Sequence, residues 1–150
     1  NLEPYLQNWI KSGKADYVQF EHMPAFWNPL FENTAKAFYT AEALGMEAKM
    51  HQTLFDAIHK QHLDFNDVNI IKKIFTNQGI NGDNFDKQYS SFFVNQKINI
   101  SNKMFANYKL RSVPTFIIDG QWRTSVQDAG SNEILFEVIN YLADKAKQSR

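Results

Sequence analysis

The apolar positions of this 150-residue chain change their period along its length. At the start, Leu2, Leu6, Trp9 and Ile10 recur at helical spacing; Pro4 suits a first turn and Gly13 offers a stop. The stretch "ADYVQFEHMPAF" then brings Tyr17, Val18 and Phe20, side chains suited to a pleated surface, and Pro24 closes the run. A strand is expected from about Tyr17 to Met23. From Pro29 to about Tyr108 the period is that of helices. The first carries Leu30, Ala37, Phe38, Ala41 and Leu44 on one stripe and ends at Gly45. Met46, Met50, Leu54 and Ile58 form the stripe of the second. Asp64 or Asn66 is the expected cap of a third, which Gly79 stops. One long helix is expected from near Asp83, with Phe85, Tyr89, Phe92, Ile100 and Met104 facing a core and a break near Asn99.

The last third changes period again. "TFIID-GQ-WRTS" reads as two short strands about an Asp119-Gly120 turn. "SNEILFEVINYLADKAKQ" is an amphipathic helix with Ile134, Leu135, Val138, Ile139 and Leu142 inward, and Lys145 and Lys147 in the last turn, where cations suit the dipole. The order is helix, strand, four helices, hairpin, helix, which is an α/β arrangement. Pro114 stands at the mouth of the first hairpin strand. Proline has no N–H for a ladder, so on the residues alone it begins an edge strand.

Composition narrows the function classes. With 43% hydrophobic and 21% charged residues the chain is neither disordered nor membrane-like. Its formal net charge of zero gives no electrostatic case for nucleic acid or an anionic membrane, and no nucleic-acid partner is expected. Aromatic residues at 15% predict a bulky core or an exposed aromatic groove. There is no cysteine, which excludes disulfides, thiolate metal sites and a cysteine nucleophile within these residues. The chain has no initiator Met and starts inside a helical pattern, so a mature or truncated N-terminus is expected.

Few side chains suggest other chemistry. His51, His59 and His62 lie near one helix with Asp56 between them, and His59 and His62, one turn apart, have the spacing of a shared metal site. A solvated helix flank accounts for them more simply, no His-Glu-x-x-His is present, and neither metal nor cofactor is expected. Phe26, Trp27, Phe31 and Phe38 concentrate near one point of the chain and fit core packing better than a groove; Trp122 fits either. Asp83 and Asp86 suit a helix's first turn.

The whole pattern resembles the DsbA family of bacterial periplasmic thiol–disulfide oxidoreductases. "NLEPYLQNW" is similar to the continuation of that family's active-site helix, and "FEHMPAFWNPLF" to the strand entering its helical domain. "AKAFYTAEALGMEAKMHQTLFDAIHKQ" is similar to its paired helices, and "RSVPTFIIDGQWR" to its Val-Pro loop and hairpin. The resemblance implies a thioredoxin-like fold with an inserted all-helical domain. Residues 1–27 and 109–150 would be the thioredoxin-like part and 28–108 the insertion. It also implies N-terminal strands and a cysteine pair upstream of Asn1, so that this chain is part of a longer folding unit and is redox-inactive by itself.

The implied function is donation of disulfides to secreted client proteins. The implied cis Val113-Pro114 bond would lie opposite the cysteine pair. Ser112, Val113, Pro114 and Thr115 would be the substrate-binding residues, with Val113's N–H and C=O turned outward to pair with a peptide as an added strand. His22, at the strand exit, would neighbour the active site. Unfolded or cysteine-containing clients, a membrane-bound reoxidising partner, a monomeric state and a periplasmic location are also implied. In a bacterial family the Asn99-Ile100-Ser101 sequon is a chance match. Two other readings keep the same fold: a kappa-class glutathione transferase or hydroxychromene carboxylate isomerase relative, with an upstream serine, and a non-catalytic peptide-binding module.

Overall fold

The structure, a computed structural model, describes residues 1–24, 31–110 and 112–150. Phe26, Trp27, Pro29 and Leu30, assigned above to an aromatic concentration and a helix start, lie outside the described residues, as does Arg111. The chain divides into a helical unit, Met23–Asn107, and a hairpin unit made of Asn1–His22 and Tyr108–Arg150.

In the hairpin unit, α1 (Glu3–Asn8) has Pro4 in its first turn and runs into a π-helical turn, Trp9–Gly13. Trp9 explains that ending. A Cβ at position 13 would lie 3.1 Å from Trp9 Cδ1, so a glycine lets the chain close over the indole. The expected strand from Tyr17 to Met23 does not form. Val18, Phe20 and His22 are half-buried while Gln19 and Glu21 are exposed, so the period of two is present. A strand also needs a ladder partner for its N–H and C=O groups, and none pairs with this segment among the described residues.

The hairpin of β1 (Thr115–Ile118) and β2 (Trp122–Ser125) is antiparallel, with Phe116 opposite Thr124 and Ile118 opposite Trp122. Asp119 and Gly120 both have positive φ, 53° and 66°, as the central residues of a type I′ turn do, and the Gln121 N–H closes the turn on the Ile118 carbonyl at 3.0 Å. A short helix the periodicity did not indicate, α7 (Val126–Ala129), follows, with the Ser125 hydroxyl accepting from the Asp128 N–H. Then comes α8 (Asn132–Gln148), whose N-terminus Ser131 caps by accepting from the Ile134 N–H. Leu135, Phe136, Ile139 and Ala143 of α8 pack with Leu6, Trp9 and Ile118, and Phe116 and Trp122 lie against this core. Each large side chain so buried contributes roughly 1.5–3 kcal/mol. Ile134, expected inward, is 46% exposed, and Phe136 takes the inward place.

The helical unit holds α2 (Glu32–Ala43), α3 (Glu47–His59), α4 (Val68–Asn77), α5 (Gly82–Tyr89) and all but the last residue of α6 (Phe92–Tyr108), Tyr108 belonging to the hairpin unit. Ala37, Ala41, Met50, Leu54, Ile71, Phe75 and Phe85 build its main core. Asp67, not Asp64 or Asn66, caps α4 by accepting from the Asn69 N–H. The long helix expected from Asp83 is two. It breaks at Ser90–Ser91, where the Ser91 hydroxyl accepts from the Val94 N–H at 3.2 Å and starts α6 afresh. That break resets the phase. Val94, Ile98 and Ser101 become the buried stripe, whereas Phe92 and Ile100, expected to face the core, are 80% and 44% exposed.

Candidate functional site

The segment between α6 and β1 is built on the hairpin. Thr115 is the first β1 residue, and its hydroxyl donates to the Ser112 carbonyl at 2.7 Å. That bond clips a turn whose tip is Val113 and Pro114. Their peptide bond is cis. Ser112, Val113 and Pro114 are all exposed, Val113 to 56%. No hydrogen bond to the Val113 main chain occurs among the described residues.

The entry to this loop is tied down. Lys109, just past the end of α6, has φ +49°, a left-handed conformation that L side chains disfavour. The Arg123 guanidinium on β2 donates through Nη1 to the Tyr108 carbonyl at 2.9 Å and to the Lys109 carbonyl at 3.3 Å. In return the Tyr108 phenol donates to the Gly120 carbonyl at 3.2 Å. At the same turn the Arg150 guanidinium donates to the Asp119 carboxylate, which also takes a 2.8 Å bond from the Gln121 amide.

Behind the loop runs a chain of rings. Phe116 meets Phe136 edge-on at 5.9 Å; Phe136 lies 5.5 Å from Trp9; Trp9 meets Phe20 at 5.8 Å; and Phe20 meets His22 at 4.8 Å. His22 therefore sits half-buried at one end of an aromatic series whose other end is the strand carrying the loop. Trp9 is locked by Asn140, which accepts from the indole N–H at 2.8 Å and donates to the Gly13 carbonyl at 3.2 Å. Trp122 packs on the same core, with the Lys145 ammonium 5.8 Å from its ring. Arg123, Tyr108 and Asn140 were not found from sequence. Their partners lie 12 or more residues away, and no local spacing announces such pairs.

The histidines do not gather. His51 lies against Phe38 at 5.7 Å and His59 against Phe55 at 4.3 Å, while His62 has φ +52° in the turn after α3. Asp56 takes hydrogen bonds from Lys60 at 3.0 Å and Gln52 at 2.7 Å, which hold its carboxyl below the ordinary aspartate range. Among the described residues no three His, Asp or Glu side chains gather to hold a metal ion. Asp83 lies in the first turn of α5, and Asp86 pairs with Lys72 at 2.7 Å. Phe31 is 45% exposed, and Phe38 packs on the helical core. Ser101 of the sequon is fully buried, its hydroxyl hydrogen-bonded to the Tyr39 phenol.

The family model described as "DSBA-like thioredoxin domain" matches residues 5–137. A thiol:disulfide interchange protein, DsbA, of Pseudomonas syringae pv. tomato is 31% identical over 146 residues, covering 97% of this chain and 68% of that protein. The crystal structure of Pseudomonas aeruginosa DsbA superposes with a TM-score of 0.87 at 25% identity, covering 99% of this chain and 77% of that one. A Proteus mirabilis DsbA variant, solved with a non-covalently bound peptide PWATCDS, has the same fold, with a TM-score of 0.78 at 21% identity over 96% of this chain and 81% of that one.

Proposed function

Because the chain belongs to the DSBA-like thioredoxin domain family, a thioredoxin fold with a helical insertion, we propose that its share of thiol:disulfide interchange is to hold an extended client polypeptide at Ser112–Thr115. The observation that carries this is Val113. It is exposed, its main chain has no hydrogen-bond partner among the described residues, and it stands at the entry to a strand paired on one side by β2. An extended peptide laid along such an edge gains main-chain hydrogen bonds whatever its side chains, which suits recognition of many unrelated clients. The peptide bound by the Proteus mirabilis protein supports the reading. The curated relatives, which are thiol:disulfide interchange proteins, favour it over the glutathione-transferase alternative.

Exchange itself needs thiolates, and the 150 residues contain no cysteine. The chain by itself therefore holds a client without forming a mixed disulfide. A periplasmic location, a monomeric state and a membrane-bound partner that reoxidises the intact enzyme follow from the family reading. No helix among the described residues is long and apolar enough to cross a membrane.

Titration of the 15N-labelled chain with a cysteine-free extended heptapeptide tests the proposal. We expect saturable shifts centred on the amides of Ser112, Val113 and Thr115, and at least tenfold weaker binding when the peptide's central amides are N-methylated. Absence of any shift at millimolar peptide, with the protein folded, overturns the reading. Saturation by glutathione at lower concentration than by peptide favours the transferase alternative.

A further inference from the structure

We propose that Arg123 is a positioning residue for the peptide-binding loop, acting by clasping the main chain that leads into Ser112–Thr115. The last carbonyls of a helix have no partners within it, and a glycine commonly takes the left-handed position that follows. Here that position is Lys109, and a side chain from β2 meets the last helical carbonyl, that of Tyr108, together with the carbonyl of Lys109 itself. The guanidinium suits the place because it carries several donors in a planar, preorganised group. Among the described residues Arg123 pairs with no carboxylate, so its charge is committed to these two carbonyls.

The clasp matters because of where the loop ends. Arg123 stands opposite Ile117, two residues beyond Thr115 on β1. The loop's exit is thus part of the same hairpin that grips its entry. The Tyr108 phenol on the Gly120 carbonyl repeats the tie from the other direction. A loop with both ends held by one rigid hairpin has fewer conformations to lose when a peptide binds, and preorganisation of that kind appears as affinity. Arg123 is exposed, so water competes for its bonds and the effect is moderate rather than absolute.

The inference rests on the reading that this loop holds peptide, and the test separates the two. Peptide affinity is measured for the wild-type chain, R123A, R123K and R150A, with amide exchange rates at Leu110, Ser112 and Val113. Arg150 is the control, because it bonds the Asp119 turn of the same hairpin without touching the loop's entry. We expect R123A to weaken peptide binding about fivefold and to speed amide exchange at the loop about tenfold. R123K, which keeps the charge on a single donor nitrogen of different reach and geometry, should recover part of both, and R150A should change neither. Wild-type affinity in R123A, or an equal loss in R150A, overturns the inference. Should R123A not fold, R123Q takes its place against the same control. If the wild-type chain binds no peptide, the loop reading fails by itself. Exchange then decides Arg123: faster at the loop in R123A alone upholds the clasp, and unchanged rates overturn it.

Discussion

The helical unit and the hairpin unit bury comparable side chains over different spans of sequence. In the helical unit consecutive helices pack, α2 on α3 and α4 on α5, and α2 also reaches forward to α5 and, through Tyr39 and Ser101, to α6. Phe75, Phe85, Met50, Leu54 and Ile71 are fully enclosed, all within one continuous stretch of chain from 50 to 85. In the hairpin unit the ties join the two ends of the sequence. The Trp9 indole reaches Asn140, 131 residues on, and α1 and α8 share one core with β1. Closing short loops costs little entropy, whereas the hairpin unit must bring the two ends of the sequence together before its shared core forms. The exposed loop at Val113 belongs to the second kind of unit, where a few long-range bonds set the shape of the proposed peptide-binding surface.

The most severe way to break this comparison is to hollow each core. Phe75→Ala and Leu135→Ala, both at fully buried positions, should each cost about 3–5 kcal/mol. Native-state hydrogen exchange should show protection lost within residues 23–107 in the first variant, and within 1–22 and 108–150 in the second. Equal loss across the whole chain in either variant would mean one cooperative unit rather than two.

A smaller effect sharpens the comparison by pH. Burial, and then the negative charge of Glu32, push the Tyr89 phenol up from 10.0 to about 12. The folded state thus favours the neutral form. This contribution is fully present below pH ~10 and is lost as pH rises through about 12, up to about 2 kcal/mol in all. Urea denaturation should show a decline over that window in the helical unit that Tyr89→Phe lacks. An identical slope in the two proteins would contradict the assignment.

The smallest change targets the hairpin unit's longest tie. Asn140→Ala leaves the buried Trp9 indole N–H without its acceptor and the Gly13 carbonyl without its donor. A loss of about 1–2 kcal/mol is expected, seen as a lower urea midpoint for the hairpin unit while the helical unit keeps its own. Wild-type stability in this variant would show that the tie contributes little.

What the sequence could settle was whatever depends on residues near one another. The stripe of Met50 and Leu54 on α3 and the Asp119-Gly120 turn were legible because helical burial repeats over three or four residues and a type I′ turn needs two positive φ values in place. The family resemblance rested on stretches of the same local kind. Where one residue's neighbours decided otherwise, the expectation failed. The Ser91 hydroxyl restarted α6 and turned Phe92 and Ile100 outward, although the apolar count was unchanged.

The tertiary structure alone decided the rest. The segment from Tyr17 to Met23 has a strand's alternation, but pairing is a property of two segments and one sequence window holds only one. The Val-Pro loop was visible as residues. Its clip by Thr115 and its clasp by Arg123 were not, because those bonds are chosen by proximity in space. Period and turn chemistry are properties of a segment's own backbone, so they can be read along the chain. Hydrogen-bond partners are selected after the chain has come together, so the shape of the loop and of its supports appears only in three dimensions.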